Sequence, residues 1–248
     1  MGLIEVRDLW KDFGEGPVIR GLTFTVEAGE VHGLLGPNGA GKTTTVKCVV
    51  GLLRADRGTI RVGGREVPED RGFRELIGYL PENPALPEYL TVKEFLLLIG
   101  RLKGLEPEEA RERTEEVASL FGLDAHMDRL IHDLSKGTRQ RVAFAAAVIN
   151  SPRILVLDEP FNGLDPEAQR VAKLLMRETA KAGGAVLVST HLLDSVERLC
   201  DRATIINSGV AVASGTIGEI VRRAGLDEGA TLEEAFISIV RGSRWGRD

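Results

Sequence analysis

The stretch Leu134-Ser135-Lys136-Gly137-Thr138-Arg139-Gln140-Arg141 decides the fold because of the two patterns between which it lies. A glycine-rich loop precedes it, Gly36-Pro37-Asn38-Gly39-Ala40-Gly41-Lys42-Thr43. An apolar run ending in two carboxylates follows it, Ile154-Leu155-Val156-Leu157-Asp158-Glu159-Pro160. The loop alone indicates a nucleotide, and the acidic run alone indicates little. The order of all three along one chain narrows both the fold and the chemistry.

The glycine-rich loop matches the pattern G-x-x-x-x-G-K-[ST] in full. Its glycines let backbone N–H groups close around phosphate oxygens, and the helix predicted to follow adds its positive end. Lys42 is expected to reach the β- and γ-phosphates, and the Thr43 hydroxyl to bind Mg²⁺. Thr44 is expected to contact the α-phosphate. All residues from Gly36 to Thr44 are therefore candidates for binding a nucleotide, and the predicted flanking strand and helix disfavour a chance glycine turn.

Size and charge limit the class of protein. A chain of 248 residues fits one large domain, or one domain with a subdomain, and 43% hydrophobic residues supply a sizeable core. The formal net charge of −5 disfavours sequence-independent binding of nucleic acid, which depends on Lys and Arg facing phosphates. Nucleic acid is therefore not expected among the partners.

Neither the apolar runs nor the N-terminus indicates a membrane segment. The runs at 49–53, 95–100 and 142–149 are far shorter than the ~20 residues that cross a bilayer as a helix. The first five residues lack the basic and apolar regions of a signal peptide. We expect a cytoplasmic protein. Its cysteines, Cys48 and Cys200, are expected to be reduced thiols packed in helices, since they show no metal or redox spacing.

Hydrophobic periodicity predicts alternating strands and helices. Strands are predicted at 3–9, 22–26, 31–35, 59–62, 76–80, 153–157, 185–189, 203–207 and 210–214, the last two joined as a hairpin at Ser208-Gly209. Helices are predicted at 42–53, 91–102, 107–121, from about 135, at 167–182 and 192–199, and in two short stretches from 217 onward. This alternation indicates an α/β core with a largely parallel sheet.

Together the three patterns resemble the ATP-binding cassette (ABC) ATPases, whose signature is usually written LSGGQ. The resemblance extends from about Met1 to Gly215. It implies a P-loop NTPase fold of ABC type, with a largely parallel core sheet, an N-terminal antiparallel β portion and a helical signature subdomain. The core is then expected at 1–84 and 153–215, the helical subdomain at about 85–150, and a short helical tail at 216–248.

The resemblance also implies roles for single residues. Asp158 corresponds to the Walker B carboxylate that holds Mg²⁺, and Glu159 to the catalytic glutamate that orients and polarises the attacking water. The alternative for this acidic pair is a helix N-cap at a strand end. His191 corresponds to the histidine that contacts the γ-phosphate and the catalytic water. Phe13 corresponds to the aromatic residue that stacks on adenine, and its alternative is a core residue.

The signature implies a dimer. Ser135 is expected to cap a helix whose start, with Gly137, faces the γ-phosphate of ATP bound to the other subunit in this family. One chain holds one P-loop and one signature, so a complete site needs a second ABC subunit, identical or a paralogue. The stretch Asn162-Gly163-Leu164-Asp165 resembles the D-loop, which crosses the dimer interface in the family. Asp165 also suits a plain helix N-cap before Pro166.

Three features depart from the family pattern. Lys136 and Thr138 stand where the signature has glycine and glutamine, although its serine and second glycine are kept, so contact with the γ-phosphate is expected to survive. Glu82 occupies the place of the Q-loop glutamine. A carboxylate can ligate Mg²⁺ directly or through water, but it cannot donate a hydrogen bond as an amide does. Phe13 replaces the usual tyrosine, which costs little because stacking uses the ring face.

By this resemblance the chain is the ATPase subunit of an ABC transporter. ATP closes a cassette dimer and hydrolysis reopens it, which drives transport through separate permease subunits and places the chain on the inner face of the cell membrane. The signature variant, Glu82 and the short tail resemble exporter cassettes for drugs, lipids or polysaccharides. One alternative is a soluble ABC ATPase without transport, whose usual coiled coils, zinc modules or second cassette do not appear in the sequence. The other is a binding module without hydrolysis, which Glu159 and His191 disfavour.

The permease is expected to dock on the segment 82–90, next to the start of the helix at 91–102. Prolines stiffen this segment, and its apolar and aromatic side chains suit an interface anchor. The hypothesis is that Leu86 or Tyr89 fills a pocket of the partner. The alternative for Leu86 and Leu90 is that they belong to the local core.

Overall fold

Two sheets contain the strands of the computed structural model, which describes residues 2–227 and 229–245. The strands are β1 (Gly2–Asp12), β2 (Pro17–Glu27), β3 (Glu30–Leu35), β4 (Arg57–Val62), β5 (Arg65–Glu66), β6 (Ile77–Leu80), β7 (Ile154–Asp158), β8 (Ala185–Thr190), β9 (Arg202–Asn207) and β10 (Val210–Thr216). The first sheet is antiparallel and has the order β2-β1-β4-β5. The second sheet has the order β10-β9-β3-β8-β7-β6.

Helices connect and cover these strands. They are α1 (Lys42–Val49), α2 (Phe73–Leu76), α3 (Val92–Leu102), α4 (Pro107–Leu120), α5 (Lys136–Val148), α6 (Pro166–Lys181), α7 (Leu193–Leu199), α8 (Ile217–Arg223) and α9 (Leu232–Trp245). Two 3₁₀ turns, Asp124–His126 and Ile131–Asp133, lie between α4 and α5. The chain between β6 and β7 is therefore mainly helical, as the periodicity predicts.

The strand directions of the second sheet bring distant segments together. Strands β9, β3, β8, β7 and β6 are parallel, and the edge strand β10 runs antiparallel. Parallel strands end at one edge of a sheet, where ligands bind in folds of this class. The segments that follow β3, β6, β7 and β8 carry the glycine-rich loop, Glu82, Glu159 and His191. Register places Asp158 of β7 beside Ser189 of β8.

The parallel sheet has a hydrophobic cluster on each face. Every residue of β3, β7 and β8 is buried, which agrees with their mostly apolar sequences. Val31 and Leu35 belong to the cluster that includes side chains of α3 to α7. Leu34 belongs to the opposite cluster, which includes side chains of α1 and the antiparallel sheet. The sheet edge that carries the glycine-rich loop, Glu82, Glu159 and His191 is therefore supported by a hydrophobic cluster on each face of the sheet.

Several element boundaries differ from the sequence predictions; β2, for example, begins at Pro17 and not at residue 22. The helix after the glycine-rich loop ends at Val49, not at residue 53, because Gly51 adopts a φ of 70° and closes a Schellman motif on the last turn. The strand predicted from residue 76 begins at Ile77, because Phe73–Leu76 forms a helical turn that the periodicity missed.

The hairpin and the helical stretches of the tail are confirmed. Ser208 and Gly209 both have positive φ, 49° and 81°, as a two-residue turn of type I′ requires.

Cys48 is buried within α1, whereas Cys200 is buried just after α7 and not within a helix. Burial raises the pKa of the Cys48 thiol to about 11 and that of Cys200 to about 12, so both are unreactive at neutral pH.

The α/β class, the largely parallel core sheet and the N-terminal antiparallel portion are as predicted. The boundaries at 84, 150 and 215 stay predictions. Across residues 2–227 and 229–245, none of the helices combines the length and the apolar character that crossing a bilayer requires.

Candidate nucleotide-binding and active site

The glycine-rich loop joins the end of β3 to the first turn of α1, and its path depends on glycine. Gly41, the N-cap of α1, has a φ of 103°, in the left-handed region that glycine favours. A Cβ on Gly36 would lie 2.4 Å from the carbonyl oxygen of Ile206, so a larger residue does not fit there. The first turn of α1 contains no acidic residue. Its N–H groups and positive helix end are therefore suited to an anion.

Lys42 folds back on the loop that precedes it. Its Nζ donates to the carbonyl oxygens of the first two loop residues, at 2.8 and 3.3 Å. Burial lowers the pKa of Lys42, while the nearby carboxylates of Glu159, Asp158 and Glu82 act in the opposite direction. A phosphate oxygen is a charged and stronger acceptor than a carbonyl oxygen. Lys42 can therefore exchange its present partners for a nucleotide.

Asp158 is fully buried at the end of β7, and its surroundings fit a bound cation. Neither carboxylate oxygen completes a hydrogen bond with a described residue, although the hydroxyls of Ser189 and Thr43 lie against the carboxylate. Burial raises the pKa of Asp158 and outweighs those hydroxyls, which lower it. A carboxylate and a hydroxyl are ligands that Mg²⁺ accepts together with phosphate oxygens and water.

Hydrogen bonds to the end of β8 and to His191 hold Glu159. Its Oε2 accepts from the hydroxyl of Thr190 at 2.9 Å, and its Oε1 lies 2.9 Å from Nδ1 of His191. Its backbone N–H donates to the carbonyl of Ser189 at 2.7 Å. Glu159 also has a φ of 49°, a conformation that a non-glycine residue keeps only where its neighbours hold it. These contacts fix a buried carboxylate directly after β7.

One cleft of about 370 Å³ unites most of the predicted site residues. Its lining consists of Val18, Asn38, Gly39, Gly41, Lys42, Thr43, Thr44, Glu82, Glu159 and His191. A slightly larger cavity of about 420 Å³ lies among α4, α6 and the segment before β7. That cavity contains neither the glycine-rich loop nor the acidic pair, so its size does not make it the active site.

Phe13 lies on the turn between β1 and β2, outside the lining of the cleft. Its side chain is 57% exposed, so the alternative of a core residue is wrong. Val18, at the start of β2, lines the cleft, and its carbonyl oxygen would lie 3.2 Å from a Cβ on Gly41. The turn that carries Phe13 thus leads directly into a strand that borders the phosphate loop.

Ser135 and Gly137 begin α5 and lie outside the cleft lining. The Ser135 hydroxyl caps α5 by accepting from the N–H of Thr138 at 3.2 Å, and it lies 2.9 Å from the Thr138 hydroxyl. Thr138, a departure from the family pattern, therefore supports the cap. Ser135 and Lys136 are exposed at the helix start. The phosphate loop and the signature occupy separate surfaces of one chain.

The D-loop-like stretch packs against the signature helix. Arg141 of α5 forms an ion pair with the carboxylate of Asp165. Asp165 also accepts from the N–H of Ala168 at 2.9 Å as the N-cap of α6, as predicted. A Cβ on Gly137 would lie 2.8 Å from the carbonyl oxygen of Gly163. Glycine in the signature therefore permits this close approach.

Three residues of the region escaped the sequence analysis as site residues. Thr190 donates to the carboxylate of Glu159, and in the sequence only its place before His191 at a strand end marks it. Arg141 belongs to the quoted signature, and its ion pair with Asp165 in the structure gives it a role. Val18 gave no sequence signal at all, because its place in the cleft depends on how the two sheets pack.

The comparison with known proteins agrees with this geometry. Residues 19–162, more than half of the chain, match the family described as "ABC transporter". The chain belongs to the ABC transporter family. The ABC type of the fold is thereby confirmed, and membership of this family supports ATP as the nucleotide of the protein.

The relatives of this ABC protein include proteins named for export. It is 41% identical over 213 residues to the Nod factor export ATP-binding protein I of Burkholderia lata, covering 86% of this chain and 70% of the relative. It is 35% identical to the ABC-type transporter ATP-binding protein EcsA of Bacillus subtilis, covering 97% and 98%. A solved structure of an ATP-binding subunit of an ABC transporter superposes with a TM-score of 0.91 at 36% identity, covering 96% and 99%.

Proposed function

We propose that this chain is the Mg²⁺-dependent ATPase subunit of an ABC exporter, working as a cassette dimer on separate membrane subunits. The observation that carries the ATPase assignment is the contact of Glu159 with both His191 and Thr190 in the same cleft as the phosphate loop. A module that only binds nucleotide does not need a buried carboxylate held in this way.

The cleft residues divide the chemistry among them. Water attacks the γ-phosphorus while the bond from that phosphorus to the β–γ bridging oxygen breaks, so ADP leaves with the bridging oxygen. Glu159 orients the water and accepts its hydrogen bond, and Thr190 and His191 hold the carboxylate in place. Lys42 and the start of α1 stabilise the negative charge on the phosphates. His191 lines the cleft and its side chain is half exposed, so it is accessible to a bound γ-phosphate.

The metal would be held by few protein ligands. Thr43 and Asp158 supply a hydroxyl and an orphaned carboxylate, and Glu82, at the cleft wall, supplies a second carboxylate directly or through water. Among the described residues no three His, Cys, Asp or Glu side chains form a cage, so phosphate oxygens and water would complete the shell. When bound, Mg²⁺ neutralises charge that develops on the phosphates.

The separation of cleft and signature supports a dimer. Ser135 and Gly137 lie outside the cleft lining, at an exposed helix start that can meet a phosphate of another subunit. Two chains arranged head to tail would place each signature over the other chain's loop. Each ATP would then lie between subunits, with closure on binding and reopening after hydrolysis.

An exposed apolar groove supports docking on a membrane subunit. It has a volume of about 310 Å³ and is lined by Val50, Leu52, Phe73, Arg74, Ile77, Tyr79 and Lys103. Leu52 is 63% exposed, and Leu102, beside Lys103 at the end of α3, is 73% exposed. Tyr79 lies on β6, the strand that leads to Glu82. A displacement of β6 by a partner bound in the groove would therefore also displace Glu82 in the cleft.

This groove changes the docking hypothesis for the segment 82–90. Leu86 and Leu90 pack against the main apolar cluster, in agreement with their core alternative, while Tyr89 is 91% exposed. We therefore propose that Leu52, Leu102 and Tyr89 contact the permease. This contact would hold the chain on the inner face of the membrane, and the names of relatives such as the Nod factor export protein support export as the direction.

Phosphate release by the purified chain tests the ATPase. Glu159→Gln should retain ATP and lower turnover by about 10²–10⁴, the usual contribution of a positioned acid–base group. Glu69→Gln is the matched control, because Glu69 is an exposed carboxylate paired with Arg54 on the surface. Equal turnover of the two variants would remove Glu159 from the mechanism.

Mixing two inactive variants tests the dimer. Ser135→Arg should block the partner's site, and Lys42→Ala should empty its own. A mixed dimer then holds one site with both lesions and one with neither, so hydrolysis should return in the mixture. Hydrolysis that stays absent at every mixing ratio would show that the two motifs do not act in trans.

Docking is tested by purifying the tagged chain from detergent-solubilised membranes of its native host. Leu52→Asp/Leu102→Asp should hydrolyse ATP yet lose the membrane subunit that accompanies the wild type. Leu174→Asp is the control, since Leu174 is an exposed leucine on α6, away from the groove. A membrane subunit recovered equally with both variants would exclude the groove. Failure of the wild type to bring down any membrane protein would favour a soluble ATPase.

A further inference from the structure

The turn that carries Phe13 is built by a carboxylate two positions upstream of its first glycine. Asp12 ends β1, and its Oδ1 accepts from the backbone N–H groups of Gly14 at 2.7 Å and Gly16 at 3.2 Å. Both glycines have positive φ, 98° and 108°. These hydrogen bonds give the turn one defined shape. Phe13 lies in the chain between Asp12, which accepts them, and the two glycines, which donate them.

Asp56 fastens this turn to the segment that follows α1. Its Oδ2 accepts from the N–H of Asp12 at 2.6 Å, and its Oδ1 accepts from Nζ of Lys11 at 2.8 Å. Its own N–H donates to the carbonyl of Trp10 at 2.9 Å. The hydrogen bond from Lys11, followed by that from the N–H of Asp12, lowers the pKa of Asp56. One aspartate thus contacts three successive residues of β1.

Lys11 in turn lies over the ring of Phe13. Its Nζ is 5.3 Å from the ring centroid, within the range of a cation–π contact. The Lys11 side chain is only 14% exposed, although the Phe13 side chain is 57% exposed. One face of the ring is therefore covered by a cation that Asp56 holds, and the opposite face remains for a ligand.

We propose that Asp56 and Lys11 are positioning residues that hold the Phe13 ring ready to stack on the adenine of ATP. This inference rests on the proposed function and on the prediction, made from the family resemblance, that Phe13 stacks on adenine. An exposed phenylalanine on a turn populates several rotamers, and ordering it costs binding free energy. Asp56 fixes the Lys11 ammonium, and the ammonium selects one ring orientation before the nucleotide arrives. Neither residue needs to touch the nucleotide.

The test compares the binding of two ligands, one with an adenine base and one without a base. The variants are Phe13→Ala, Asp56→Asn and the double variant, with the Kd of ADP measured by calorimetry. The inhibition constant of inorganic tripolyphosphate, which has no base, is measured against ATP hydrolysis. Asp70→Asn is the matched control, because Asp70 also accepts from a backbone N–H, that of Gly72, and pairs with an arginine, Arg65.

Phe13→Ala should weaken ADP about tenfold, a typical loss for removing a stacked aromatic ring. Asp56→Asn should weaken ADP about twofold to fivefold, as expected for losing an exposed cation–π contact, and should raise the KM for ATP by a similar factor. Asp56→Asn should add nothing in the Phe13→Ala background. Tripolyphosphate should inhibit every variant equally, and Asp70→Asn should bind ADP like the wild type.

Three results would overturn the inference, and they separate it from the proposed function. Wild-type ADP affinity in Asp56→Asn, with weakened affinity in Phe13→Ala, would leave base stacking intact and remove Asp56. If Asp56→Asn weakened ADP further in the Phe13→Ala background, so that the two losses of affinity multiplied, Asp56 would only support the fold. The same would follow if Asp56→Asn weakened tripolyphosphate as much as ADP. Wild-type affinity in Phe13→Ala would instead refute the stacking role of Phe13, and the inference would fall with it.

Discussion

Asp158→Asn should make the nucleotide-free protein more stable while abolishing Mg²⁺-dependent hydrolysis. The Asp158 carboxylate is fully buried, and neither oxygen completes a hydrogen bond with a described residue. Burial raises its pKa despite the nearby Ser189 and Thr43 hydroxyls and the Lys42 ammonium. The folded state therefore disfavours the charged form of this residue. A neutral side chain of the same shape removes that penalty, but it also removes the charge that would hold the metal.

The size of the effect follows from the missing partners. A buried polar group without a partner costs about 1–3 kcal/mol, and a charged one costs more. Asparagine keeps a polar group in the same place, so the substitution should recover only part of this cost, about 1–2 kcal/mol of unfolding free energy. For a chain of this size, each kcal/mol moves Tm by about 2–4 °C. The expected rise in Tm is therefore about 2–8 °C.

The pH dependence of stability provides a second test of this prediction. A raised folded-state pKa means that the folded protein binds this proton more tightly than the unfolded chain does. The contribution of Asp158 to stability therefore falls as pH rises from the unfolded value of about 3.9 through the folded pKa. Above the folded pKa the wild type carries the whole penalty. The advantage of Asp158→Asn should be largest there and should shrink as pH is lowered.

Thermal melts of both proteins without nucleotide, from pH 7 downward, measure this directly. Adding ATP with Mg²⁺ should stabilise the wild type by mass action and the variant much less. Asp70→Asn, at an exposed and partnered carboxylate, serves as the control and should gain no stability. A nucleotide-free Asp158→Asn variant with a Tm equal to or below that of the wild type at neutral pH would refute the reasoning.

Three further predictions concern the cleft. Thr190→Val should lower turnover by about 10- to 100-fold, because a hydrogen bond to a charged group contributes about 1.5–3 kcal/mol; phosphate release measures it, and Thr190→Ser should restore most of the rate. Lys42→Ala should weaken ATP about 10- to 100-fold, because it removes the charged donor of the loop; unchanged affinity by calorimetry would contradict its assignment. Ser135→Arg should leave ATP binding by the monomer intact while abolishing hydrolysis, so a parallel loss of binding would show that the cleft itself was damaged.

Local sequence was enough to predict the path of the phosphate loop and the phosphate binding that its residues suit. The loop's chemistry is local: glycines at fixed spacing, a lysine and a threonine act through the backbone they share, and the following helix starts there whatever surrounds it. The acidic pair, His191 and the capping serine of the signature were also recognisable from spacing and order. The hairpin at Ser208-Gly209 needed only two residues that tolerate positive φ.

Which of these groups meet depends on how the distant elements of the fold pack. The sheet order places β8 between β3 and β7, and this brings Thr190 and His191 to Glu159, a contact across 31 and 32 residues of sequence. The same packing partly buries Leu86 and leaves Leu52 exposed, although both are leucines near a helix. It also ties Asp56 to Lys11 and Asp12 across more than 40 residues. Such contacts depend on how distant elements pack, and no local pattern encodes the partner that a side chain will find.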